Sequence, residues 1–153
     1  MFTIYNLLKF LHIVGAIGWI GGFITFSIIS ARSAREKNPA VLATLEQLMR
    51  LNGMAVIGPA SGLTLLAGIV MIAVSGLAIS LWVIWGFAAI IVSVALGAAL
   101  IGPTNKALRE IAAVAEPSEL RLEALRRRLV TLNIINILVL LSAVWAMVAK
   151  PSL

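Results

Sequence analysis

The chain has 153 residues, of which 61% are apolar and 12% charged, against about a quarter charged in an average soluble domain. With no Cys and a single His, it cannot build a thiolate zinc site, an iron–sulfur cluster, a disulfide or a Cys-x-x-Cys redox pair. The formal charge is +6, and all six acids, Glu36, Glu46, Glu110, Glu116, Glu119 and Glu123, lie between apolar runs, so no carboxylate is expected inside a membrane to relay protons.

Three runs lack Lys, Arg, Asp and Glu: Phe10 to Ala31 (22 residues), Leu51 to Asn105 (55) and Leu129 to Ala149 (21). Each reaches the about 20 residues that cross a bilayer. A single helix over the central run would be roughly 80 Å long against about 30 Å of hydrocarbon, so it must fold back once. Ser75-Gly76 and Ser80 mark that turn. The expected fold is therefore all-α, a polytopic membrane protein with a four-transmembrane-helix bundle running up-down-up-down. Its spans fall at about 5–31, 52–74, 79–102 and 129–149 within one integral membrane domain, 1–153.

The first span is followed, not preceded, by the basic cluster Arg32, Arg35 and Lys37, the reverse of a signal peptide, and is expected to be retained. Its Gly15, Gly18 and Gly22 recur on one face and leave a groove for a neighbouring helix or a flat cofactor. Asn38-Pro39 reads as a helix cap and first helical position. The second span carries Gly58-x-x-x-Gly62, which makes a second such groove, and Pro59, whose ring crowds the carbonyl of Ala55, so a kink is expected there. Pro117-Ser118 reads as a break and cap. From there Leu122, Leu125 and Leu129 continue an apolar stripe into a fourth helix that projects beyond the membrane, with Glu123 and Arg127 paired at i and i+4. Deeper in that span, Asn133, Asn136 and Ser142 are expected to form interhelical hydrogen bonds.

Orientation follows from the basic residues. Ten of the twelve Lys and Arg lie in the segments 32–50 and 103–128, leaving only Lys9 and Lys150 for the opposite face. The expected topology has both long loops in the cytoplasm and both termini outside, in a bacterial inner membrane. The Arg126-Arg127-Arg128 cluster beside a span is then a membrane anchor facing anionic lipid heads, and no nucleic-acid partner is expected.

His12 is the residue with the most chemistry. It lies about one turn inside the boundary set by Lys9, on the face that carries Gly15, Ala16, Trp19 and Phe23. An imidazole there is a metal or haem ligand, or simply a hydrogen-bond donor to a carbonyl or water. Met71, Trp82, Trp85, Trp145 and Met147 fall at similar depth by topology. Met71 or Met147 would complete a His/Met haem or Cu(I) site, or serve as gap fillers, and the Trp residues as interface anchors. The cofactor-binding set read from the sequence is His12, Gly15, Trp19, Lys9, Met71 and Met147, with His12 as the metal ligand. Lys9 would pair with a haem propionate. Haem b is the expected cofactor and copper the alternative, in a protein with an electron-transfer or accessory role; the competing reading is a cofactor-free subunit of a larger membrane complex. With one His per chain, bis-His ligation would take two chains, so a homodimer is one expected assembly.

Lys9-Phe10-Leu11-His12-Ile13, Trp19 and Gly22, then Leu48-Met49-Arg50-Leu51, Pro59-Ala60, Gly68, Trp82, Asn133 and Lys150-Pro151, resemble the small haem-binding membrane oxidase family that converts protoporphyrinogen to protoporphyrin. Similar layouts occur in the copper-resistance protein D group and in a family of predicted bacterial integral membrane proteins of unknown function, and it is this last family that the chain resembles most. The resemblance covers nearly the whole chain. It implies a haem-ligand role for His12 and, for any enzymatic activity, an oxidoreductase. Two departures bear on that activity: the oxidases carry a Lys early in the third span, where this chain has Trp85-Gly86, and an acid after the fourth-span Asn, where it has Ile134. Both are groups that would handle protons.

Overall fold

The computed structural model describes residues 3–76, 80–112 and 118–150. Helix α1 spans Ile4–Ser33, α2 Pro39–Asn52, α3 Gly58–Ser75, α4 Leu81–Leu96, α5 Gly102–Ala112 and α6 Glu119–Ala149. Two π-helical turns, Gly53–Ile57 and Gly97–Ile101, join α2 to α3 and α4 to α5. Among the described residues, four stretches are long and apolar enough to cross a membrane: Ile4–Ser33, Pro39–Ser75, Leu81–Ile111 and Glu119–Ala149. The chain is an all-α protein with four membrane-length helices, as its composition requires. Ile17, Leu66, Ile91 and Leu138, one on each stretch, are at least 60% exposed, a surface suited to lipid tails and costly in water.

The helices overrun the limits set by hydropathy. The second begins at Pro39, not near 52, and the third ends at Ala112, not near 102. Polar residues extend these helices because helical periodicity and caps do not stop where hydrophobicity does. Asn38 caps α2 as expected, its Oδ1 accepting from the Ala40 N–H at 3.0 Å, with Pro39 in the first helical position. Ser118 stands at the cap position of α6 without a side-chain cap bond; Pro117 lies outside the described residues. The fourth helix projects through its charged first turns as expected, with Arg127 Nε donating to Glu123 Oε1 at 3.0 Å. At the central turn, α3 stops at Ser75 because Gly76 adopts φ +59°, a left-handed conformation that glycine takes without strain. Ser80 then precedes α4 in extended geometry.

Proline is accommodated in the same way twice. Pro59 has no N–H to offer the Ala55 carbonyl and its ring would press on that carbonyl. The preceding turn widens, and the Gly58 N–H reaches back five residues to the Gly53 carbonyl. The kink expected at Pro59 takes the form of this π turn. Gly97–Ile101 repeats it, with the Gly102 N–H bonded to the Gly97 carbonyl just before Pro103. The two segments share the pattern Gly-x-Ala-x-Ile-Gly-Pro, at 53–59 and 97–103, an internal repeat that hydropathy alone does not reveal.

The chain divides into two compact units, one of residues 1–30 and 37–79, the other of residues 31–36 and 80–153. In the first, α1 lies antiparallel to the α2–α3 segment: His12 meets Thr64 and Gly68, Gly18 meets Ala60, and Gly22 meets Ile57, Val56 and Asn52. In the second, α6 packs antiparallel to α4 and α5. Trp85 Nε1–H donates to Ser142 Oγ at 3.2 Å, Gly86 sits under Met147, and Lys150 Nζ lies 5.7 Å from the Trp82 ring centre.

Candidate functional site

In the first unit the small residues of α1 let the second span come close. A Cβ on Gly15 would fall 2.6 Å from Thr64 Oγ1, 2.9 Å from its backbone nitrogen and 3.0 Å from the Ala60 carbonyl. One on Gly18 would lie 3.1 Å from Ala60 Cβ, and one on Gly22 3.0 Å from Ile57 Cγ1. The glycine face is thus filled by the second span itself, with Trp19 and Phe23 buried along it. Asn52 adds a tie, its Nδ2 donating to the Gly22 carbonyl at 2.8 Å. By contrast, Gly62 has nothing within 4 Å and Gly58 meets only the carbonyl of Gly53 in its own turn. The Gly58-x-x-x-Gly62 pair therefore does not make the helix groove that its spacing suggested among the described residues; Gly58 serves the π turn instead.

His12 closes this contact at the end nearest Lys9. Its Nδ1 lies 2.7 Å from the Thr64 carbonyl oxygen. A carbonyl only accepts, so Nδ1 is a donor here, and in the neutral imidazole the lone pair is then on Nε2. The Thr64 hydroxyl turns back to the Ala60 carbonyl at 2.8 Å, which leaves the Thr64 carbonyl to the imidazole. Gly68 supplies the space: a Cβ there would stand 3.2 Å from both Nδ1 and Cε1 of His12. Nε2 has no hydrogen-bond partner among the described residues. Thr64, Gly68 and Met71 follow at i, i+4 and i+7, so Met71 continues the face that His12 contacts, one turn further along α3. Lys9 is exposed, one turn before His12 on α1.

Met147 belongs to the second unit, where its Cε fills the hollow over Gly86, 2.8 Å from where a Cβ would stand. The structure therefore groups His12, Gly15, Trp19 and Lys9 on α1 with Met71 on α3, and gives Met147 a packing contact of its own. The polar residues of the fourth span behave less uniformly than their shared expectation. Ser142 does bond across helices, to Trp85. Asn133 Oδ1 and both amide atoms of Asn136 are buried without a partner among the described residues, so the interhelical bonds expected of these two Asn are not made there. Composition could signal that the Asn residues are polar in a span; only packing decides whether a partner faces them. No group of three or more His, Cys, Asp or Glu stands together among the described residues.

No curated protein and no solved structure matches the chain. Residues 6–151 match a family of predicted integral membrane proteins (DUF2269), nearly the full length. With four membrane-length helices and a lipid-suited surface, the chain belongs to that family of integral membrane proteins, whose function is unknown.

Proposed function

We propose that this protein binds haem b through Nε2 of His12 and has an electron-transfer or accessory role in the bacterial inner membrane. One observation carries the reading: the Nδ1–H bond to the Thr64 carbonyl at 2.7 Å selects the neutral tautomer whose lone pair is on Nε2, an atom with no competing partner among the described residues. A carbonyl bonded to the other ring nitrogen in this way fixes the tautomer and raises the basicity of a ligating imidazole. The donor set favours haem over a bare ion. Haem iron brings four ring nitrogens and needs only one or two protein ligands, whereas copper, the alternative, would have to be held by His12 and Met thioethers alone. Met71 is the candidate for a second ligand, and the exposed Lys9 ammonium would pair with a propionate.

The fit has a limit that refines the site. Because Thr64 and Ala60 occupy the face of Gly15, no porphyrin can lie between the two helices there. Gly15 and Trp19 then act by holding the hairpin that presents His12, and the ring would meet the half-buried imidazole from outside it. When bound, haem b supplies reversible one-electron transfer; the chain's own groups hold, orient and charge-balance it. The same filling of the glycine face supports the second reading, a cofactor-free subunit of a membrane complex in which the His12 bond is only a tie between helices. We read the whole chain as one membrane domain, with both termini outside and the long basic segments cytoplasmic. A homodimer would supply a second His12.

The two readings separate in a spectrum. Protein purified from haem-replete cells and reduced with dithionite is expected to give b-type Soret and alpha bands that are lost in His12→Ala and shifted in Met71→Leu. Wild-type protein without haem, or His12→Ala with the unaltered spectrum, would leave the accessory-subunit reading in its place.

A further inference from the structure

In the second unit a cavity of about 20 Å³ lies between the end of α1 and the first membrane turns of α6, lined by Ala31, Ala34, Arg35, Arg126, Leu129 and Asn133 among others. Such a volume holds one water and nothing larger. Its polar lining is unbalanced. Arg35 and Arg126 are among the lining residues and no acidic residue is. Arg126 spends its Nε–H on the Ala34 carbonyl at 2.7 Å, which caps the chain as it leaves α1, and its terminal nitrogens have no partner among the described residues. Arg35 is exposed, and its charge, like that of Arg126, reaches the Glu123 carboxylate. The nearby acid, Glu123, gives its carboxylate to Arg127. On the inner wall, Asn133 is 4% exposed and its Oδ1 accepts from no described group.

We propose that this cavity is the inner end of a site for a phosphate group, held at the mouth by Arg35 and Arg126. The single Glu123 carboxylate is shared among Arg127, Arg126 and Arg35, which leaves positive charge in excess at the mouth, and the guanidinium fork matches phosphate oxygens. The cavity is too small to admit the phosphate itself. A single water inside it donates one proton to Asn133 Oδ1 and the other to a phosphate oxygen, which completes both the orphaned amide and the anion's shell. The site stands where the basic segment meets the apolar run of the fourth span, at the level of phospholipid head groups. Both an anionic lipid and free phosphate offer this chemistry. The inference is independent of haem, since it uses only residues of the second unit.

The test is thermal unfolding of delipidated protein in nonionic detergent, with short-chain phosphatidylglycerol, phosphatidylcholine, or inorganic phosphate against chloride at equal ionic strength. A rise of several degrees with phosphatidylglycerol alone assigns the site to lipid, and one with inorganic phosphate assigns it to the free anion. In either case Arg35→Gln is expected to cut the shift to less than half, while Arg128→Gln, the same charge change outside the cavity, keeps it. Arg35 is the decisive position because Arg126→Gln also uncaps Ala34. No shift with any additive, or a shift that Arg35→Gln and Arg128→Gln reduce equally, overturns the proposal.

Discussion

At the scale of single residues, the glycines of α1 are not equivalent. Gly15 stands against backbone and hydroxyl atoms of Thr64 that cannot move aside as a side chain would, while Gly21 has nothing within 4 Å. Gly15→Ala is therefore expected to destabilise the protein by about 1–3 kcal/mol through overpacking. Gly21→Ala is expected to leave stability unchanged or to raise it by up to about 1 kcal/mol, because Ala is the better helix former. Chemical or thermal unfolding in detergent reads both; equal effects at the two positions would mean that the close approach of α1 and α3 is not maintained. Asn136, 1% exposed with an unbonded amide, predicts a result that runs against intuition. Replacing an unpaired buried amide by an apolar group of similar size removes a desolvation cost and loses no protein bond, so Asn136→Leu should unfold at the same temperature or higher. A marked loss would reveal a partner for Asn136, such as a bound water or a ligand.

At the scale of elements, the two π turns carry the same physics. A Cβ on Gly58 would lie 3.3 Å from the Gly53 carbonyl oxygen, and one on Gly102 would lie 3.2 Å from that of Gly97. These distances follow from the i to i−5 bond, which brings the fifth carbonyl where an α-helix would have left room. Gly58→Val and Gly102→Val are each expected to cost about 1–2 kcal/mol by crowding this bond, whereas Gly62→Ala, in open space, is expected to be neutral. If Gly58→Val and Gly62→Ala unfold alike, the wide turn is not the state that the protein holds. The motif Gly-x-Ala-x-Ile-Gly-Pro was present in the sequence twice, but its meaning depends on a hydrogen-bond register that a hydropathy pattern does not encode. Proline alone signals a missing donor; it does not say whether the helix kinks, breaks or widens.

At the scale of the molecule, the ten-to-two division of basic residues between the two sides predicts both termini outside. A reporter that is active only in the cytoplasm, fused after Leu153, should be silent there and active when inserted between α2 and the end of α1; the reverse pattern would invert the topology. The number of membrane-length helices among the described residues, the helical class and the helix end at Gly76 were legible in residue order, because a bilayer imposes length and polarity on any segment that crosses it and leaves helices as the solution here. The reach of the helices beyond the apolar runs was only partly legible, since caps such as Asn38 can be read but their continuation through Gly53–Ile57 cannot. His12 was conspicuous as the sole imidazole, yet which of its nitrogens is free depends on a carbonyl 52 residues away. The same holds for Gly15, a groove in the sequence and a filled contact in the structure, and for Arg35 and Asn133, which are far apart in the sequence and line one cavity. Local composition determines what a segment must do with lipid; pairing between distant segments decides which polar atoms are satisfied and which remain available for chemistry.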